Sequence, residues 1–273
     1  QWSSEFESVL MSSPAARSVY ASTGFSCCVT CGRVSSVLGV QDPCASYDTA
    51  CSSALVANHA ALRAVQMQEC SDTLVAAVHL MLTPANTFAL ATLGIVSPSG
   101  CSATFDARAD GYARSDAVTG HILDLCGDDK NVGALLLLGS SSRQDGKSAS
   151  LTAPNGQAQR VLVETALADS GTTAQTTACV EAASNGSPLG DPIEASSIAR
   201  ALIAARSAGD GALAVGNVKS NLGHAEPAAG ATGLFRLALA LESSTAHSLA
   251  QLRQLSGHVS GALNSSLASR CAL

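Results

Sequence analysis

The chain has 273 residues with a formal net charge of −6; 47% are hydrophobic, 13% charged and 3% aromatic. That length allows one large or two small domains, and the apolar fraction is ample for a closely packed core of Ala, Val and Leu. The acidic balance lacks the basic stripe of a nucleic-acid surface, and no run of five like charges marks a charged tail.

The start, "QWSSEFESVL", has neither a basic n-region nor an apolar run, so no targeting segment is read there. Beginning at Gln1 rather than Met suggests a fragment or a processed chain. "CCVTC" at 27–31 is the one tight group among the ten cysteines (27, 28, 31, 44, 51, 70, 101, 126, 179 and 271). It has no second ligand pair at zinc-site spacing, so no metal is expected and small buried hydrophobes are the alternative. The chain is too long and too well patterned to need disulfide staples. Reduced thiols and an intracellular setting follow, with nothing to separate cytoplasm from plastid.

At 48–53 stands "DTACSS", where an extended segment turns into an apolar helix over 51–68. The run "TLVAAVHLML" (73–82) reads as a strand buried on both faces, and "GYARSDAVTGHILDLC" (111–126) as a less regular one. "VGALLLLGSS" (132–141) reads as a third, and its apolar core is far too short to span a bilayer. A helix follows over 156–169, a strand over 176–183, a helix over 191–205, a strand over 213–220 and a helix over 224–243. The alternation implies an α/β fold with largely buried sheets. No Pro- or Gly-rich linker divides the chain. Two strand–loop–helix units, one with "DTACSS" and one with "VEAASNGSPLGDPIE" (180–194), hint at related halves.

A cysteine at a strand-to-helix turn meets the unpaired N–H groups and positive end of the helix, which stabilise its thiolate and make it nucleophilic. On residues alone Cys51 is either that nucleophile or one more small buried side chain. His224, in "SNLGHAEPAAG", stands just before a helix and could donate to a carbonyl, or be an ordinary loop histidine. Glu226 suits a first helical turn through the dipole alone, and Pro227 fits that early position. Gly186 marks a turn, for which Asn185 and Ser187 are ordinary chemistry; Asp191 suits a helix start.

Five blocks together resemble the ketosynthase (beta-ketoacyl synthase) domains of type I polyketide and fatty acid synthases. They are "GRVSSVLGVQDPCASYDTACSSALVANHAALRAVQMQEC", "GIVSPSGCSATFDARADGYARSDAV", "RQDGKSASLTAPNGQAQ", "VEAASNGSPLGDPIEA" and "VGNVKSNLGHAEPAAGATGLFRLALAL", in the family's order, covering about residues 20–263. The resemblance implies a thiolase-like, layered α/β/α/β/α fold of two similar halves, incomplete at both termini. Residues 1–273 would form one partial domain, about 20–126 holding the nucleophile and about 127–263 the His and Lys motifs. Sheets short of strands would expose backbone edges.

The resemblance assigns Cys51 the acyl-accepting role through a covalent thioester. It assigns His224 the imidazole that polarises a malonyl unit, Lys219 the active-site lysine and Glu226 its nearby acid. Asn185 and Ser187 stand where the family has threonines lining the pantetheine channel. His59, His79, His121, His247 and His258 match no catalytic position and are read as structural or surface residues. The family's "HGTGT" histidine falls on Ala183, whose methyl group can neither donate a hydrogen bond nor move a proton.

The reading is an acyl-accepting ketosynthase with condensation weakened or lost. The alternatives are an active decarboxylative condensing enzyme and a non-catalytic dimerisation domain of a larger assembly; a Cys–His hydrolase is a poor fourth, because the ketosynthase blocks leave no unexplained feature for it. No cofactor is bound in any of these. Substrate would arrive on the phosphopantetheine arm of an acyl carrier protein, and the other partners implied are a second copy, pairing through about 45–49, or the rest of a synthase.

Overall fold

A computed structural model describes residues 3–125, 135–150, 152–207 and 209–273. The chain divides into two compact units, each made of several stretches: residues 1–93, 115–131 and 225–231, and residues 94–114, 132–224 and 232–273.

The first unit begins with three α-helices that the sequence reading did not expect, α1 (Ser3–Met11), α2 (Ala21–Gly24) and α3 (Cys27–Leu38). Gly39 ends α3 in the left-handed conformation, φ 72°, where a glycine carries no Cβ penalty. Residues 40–48 are irregular and exposed, so the strand expected over 45–49 is absent as a ladder within this chain. The helix α4 (Ser53–Gln66) follows, then β1 (Asp72–His79), α5 (Ala85–Thr92) and β2 (Ala117–Asp124).

β1 and β2 pair antiparallel, from Asp72 opposite Asp124 to His79 opposite Ala117. α4 packs on β1, burying Val75 and His79, while Leu74, Val78, Val118 and Ile122 on the other face are 50–70% exposed. The expectation of burial on both faces is therefore wrong for β1. Side chains alternate across a strand, and among the described residues only one face is covered.

In the second unit come α6 (Gly156–Ser170), β3 (Cys179–Glu181) and α7 (Gly190–Ile198), which runs on as a π-helical turn over Ala199–Ile203. Then follow β4 (Leu213–Gly216) and α8 (Lys219–Leu222). After a 3-10 turn at Glu226–Ala228, α9 (Ala229–Ser243) passes from the first unit into the second. α10 (Gly257–Ala268) and β5 (Cys271–Ala272) close the chain. β3, β4 and β5 form a parallel sheet in the order β3–β4–β5. Its core joins Val215 and Leu213 to Ile198, Leu202 and Ile203, and to Leu249, Val259 and Leu263.

The strand expected over 132–141 does not form where the structure describes it, residues 135–141; residues 132–134 lie outside the described ones. Leu135, Leu136 and Leu138 are 55–60% exposed, because an apolar run becomes a strand only when a second backbone takes its N–H and C=O groups. Among the described residues no helix is long and apolar enough to cross a membrane.

Candidate active site

In the first unit the chain turns sharply ahead of α4. Ala50 has φ 56°, a left-handed geometry that costs a residue with a Cβ on the order of 1–3 kcal/mol and persists only when its surroundings enforce it. They do: the Ser53 hydroxyl accepts from the Thr49 N–H at 2.8 Å and donates to the Ala50 carbonyl at 2.7 Å. The Ser52 hydroxyl donates to the Thr49 carbonyl at 2.8 Å. Cys51 sits at the apex of this turn, exposed and immediately before Ser52, the N-cap of α4. The helix N-terminus that would stabilise a thiolate is thus in place, although the segment before it is irregular rather than a strand.

In the second unit β3 runs into the loop 182–189, whose backbone is anchored at nearly every residue. The Ala183 N–H donates to Glu194 Oε1 at 2.7 Å, and the Ser184 hydroxyl to Glu194 Oε2 at 2.6 Å. The Asn217 amide donates to the carbonyls of Ala182, at 2.7 Å, and Ser184, at 2.5 Å. Asp191 is 2% exposed and accepts the N–H groups of Asn185, Gly186, Ser187 and Phe105 at 2.9–3.2 Å. Burial pushes its carboxyl above the usual carboxylate range, opposed by these N–H donors. Asp191 therefore lies in the first turn of α7 but works chiefly as the loop's acceptor, not as an N-cap. Gly186, φ 87°, could not be another residue: a Cβ there would stand 2.6 Å from the Gly111 carbonyl oxygen. Asn185 and Ser187 are half-buried on this loop, while Ala183 is exposed.

Lys219 opens α8 and is 7% exposed; its ammonium donates to the Ala183 carbonyl. Beside it Glu181, at the end of β3, accepts the Val218 N–H and binds Arg236 at 2.6 Å. Burial raises the Glu181 carboxyl, while the Val218 N–H and the cations Arg236 and Lys219 pull it back down. His224 is 1% exposed; its N–H donates to the Ala113 carbonyl at 2.7 Å, and its ring meets Tyr112 edge-on at 4.7 Å between centroids. The second unit thus carries Ala183, Asn185 and Ser187 on the anchored loop after β3, Lys219 at the start of α8 after β4, and His224 just beyond α8.

Glu226 belongs to the first unit and opens the 3-10 turn, with Pro227 in the early position expected of it. Its carboxylate lies 3.1 Å from His79 Nε2, both side chains 3% exposed. His121, by contrast, bonds Asn58 at 2.8 Å, and burial lowers its pKa. Among the described residues no three His, Cys, Asp or Glu side chains gather as metal ligands do.

The residues that sequence reading missed are the anchors: Glu181, Glu194, Asn217 and Arg236. All four lie within the motif blocks as ordinary polar residues, and only the partners they meet in the fold mark them out.

Residues 2–125 match the family model described as "Beta-ketoacyl synthase, N-terminal domain" and residues 135–253 the one described as "Beta-ketoacyl synthase, C-terminal domain". A phenolphthiocerol/phthiocerol polyketide synthase of Mycobacterium tuberculosis is 39% identical over 246 residues, which is 89% of this chain and 11% of that protein. A second phenolphthiocerol/phthiocerol polyketide synthase protein of the same organism is 38% identical over 245 residues, 88% of this chain and 16% of that protein. Among solved structures, the ketosynthase from module 6 of the bacillaene synthase of Bacillus subtilis 168 superposes with TM-score 0.80 and 28% identity, over 86% of this chain and 42% of that one. An oxazolomycin ketosynthase domain from Streptomyces albus JA3453 gives TM-score 0.83 and 28% identity, over 92% and 43%. The chain therefore spans well under a fifth of the length of these curated relatives and less than half of these solved domains.

Proposed function

This chain belongs to the beta-ketoacyl synthase family and has its thiolase-like fold, and on that premise we propose that it accepts an acyl thioester on Cys51 while condensing weakly or not at all. The observation that carries this is the loop at 182–189. Its backbone is anchored by Glu194, Asn217, Asp191 and Lys219, yet at the position of the expected imidazole it presents the methyl group of Ala183.

The Cys51 thiolate attacks the thioester carbonyl, the carbonyl–sulfur bond of the pantetheine breaks, and the departing thiolate takes up a proton. This step needs a nucleophile and donors to the oxyanion, and residue 183 is neither. Decarboxylation of a malonyl unit needs donors on the enolate oxygen. His224 supplies one and Ala183 none, and losing one such donor costs roughly a hundred- to a thousandfold in rate. Asn185 and Ser187 retain hydrogen-bonding groups for the pantetheine arm. Because the relatives are polyketide synthases, the proposed partner is an acyl carrier protein within a larger synthase, with polyketide rather than fatty acid assembly as the setting.

A second reading, a domain kept for dimerisation or assembly, is favoured by the exposed apolar face of β1 and β2. One experiment separates the two: incubate the chain with an acyl-pantetheine thioester, measure intact mass, and map the adduct by digestion. A single acyl group on Cys51, lost in Cys51→Ser, is expected. No adduct, or one scattered over several cysteines, overturns the acyl-accepting reading and leaves assembly.

A further inference from the structure

His79 ends β1 inside the first unit and is 4% exposed. Both of its ring nitrogens face oxygen. Nδ1 lies 2.7 Å from the Ser115 carbonyl oxygen, which can only accept, so Nδ1 carries a proton. Nε2 lies 3.1 Å from Glu226 Oε2. A buried carboxylate with a buried imidazole at this distance is a pair in which each charge answers the other, and removing either partner leaves an uncompensated group in the interior. Glu226 also has φ 41°, a left-handed geometry for a residue with a long side chain, which the surroundings must impose. His79 is one group that holds that side chain. Glu226 stands two residues along the chain from His224, whose own N–H and ring are held by Ala113 and Tyr112.

We propose that His79 is a positioning residue: as an imidazolium it holds the Glu226 carboxylate and the left-handed turn at residue 226, and so fixes the chain that leads away from His224. Its chemical consequence rests on the reading of His224 as the imidazole of a ketosynthase site; the pairing itself does not. Nothing in the sequence singles out His79, because its partner is remote along the chain and it sits in an apolar run that reads as plain strand.

The test is nitrogen-15 NMR of the histidine-labelled chain at neutral pH, without substrate, in the wild type and in Glu226→Gln, His79→Gln and His79→Leu. His79 is expected to show both ring nitrogens protonated, and to lose the Nε2 proton in Glu226→Gln, whose amide needs no counter-charge. The His224 signals are expected to stay in place in His79→Gln, whose amide can still donate to Glu226, and to shift in His79→Leu. A wild-type His79 without an Nε2 proton, or a His79 signal unchanged by Glu226→Gln, overturns the proposal. So does a folded His79→Leu with His224 undisturbed. Should His79→Leu not fold, Glu226→Gln and His79→Gln still decide. Acylation of Cys51 measured on the same wild-type sample judges the proposed function separately, since the spectra need no substrate.

Discussion

The Lys219 ammonium donates a hydrogen bond to the backbone carbonyl of Ala183, so the residue that stands in place of the expected histidine is held through its main chain by another motif residue. A hydrogen bond involving a charged group contributes about 1.5–3 kcal/mol, and Lys219 is buried enough for that to apply. Lys219→Met should therefore lower stability by about 1–3 kcal/mol in urea denaturation. Lys219→Arg should not restore it, because a planar guanidinium does not fit a seat shaped for a compact ammonium. Equal urea midpoints for wild type and Lys219→Met would refute this role.

Ala183→His should raise malonyl decarboxylation by about a hundredfold while leaving acylation of Cys51 unchanged. The structure supports a well-placed substitution: the Ala183 side chain is exposed, and the loop backbone on both sides is anchored independently of it. Carbon dioxide release and ketoacyl product are the quantities to compare. If the native protein condenses as fast as the histidine variant, residue 183 is not the lesion and the active-enzyme alternative stands.

Asp106 links two distant segments of the second unit. Its carboxylate, 1% exposed, accepts from Arg108 Nε at 2.7 Å and from the N–H groups of Arg253 and Gln254 at 2.6 and 3.0 Å. The Arg108 guanidinium, chiefly, holds this carboxyl well below the usual range, against the effect of burial. A folded-state value below the unfolded one, about 3.9, gives stability that is present above that pH and lost as pH falls below it. Asp106→Asn should therefore be less stable than wild type at pH 6, with the difference shrinking as pH falls below about 4. Urea midpoints measured across that range check it; a gap that stays constant with pH would rule out the carboxylate as its source.

How much of this was legible beforehand varies with how local the cause is. The helices around α4, α6, α7 and α9 and the strands β1, β3 and β4 follow from local periodicity. The place where the chain turns into α4 was legible, and Gly186 was legible as a turn residue, but the Ser52 and Ser53 hydroxyl bonds that shape the turn at Thr49–Ser53 show only in the fold. Family membership was legible for a related reason: ordered blocks of sequence survive where a site must be built. What the sequence did not determine is every feature whose partner is remote along the chain. The stretch at 132–141 has the composition of a strand, yet residues 135–141 form none, because a ladder needs a second backbone that local pattern does not supply. β1 reads as doubly buried, but coverage of a sheet face is a property of its neighbours. Glu181 meets Arg236, Asn217 meets Ala182 and Ser184, and His79 meets Glu226 only after the chain has folded. A buried charge is tolerable only beside its partner, and folding alone decides which groups are neighbours.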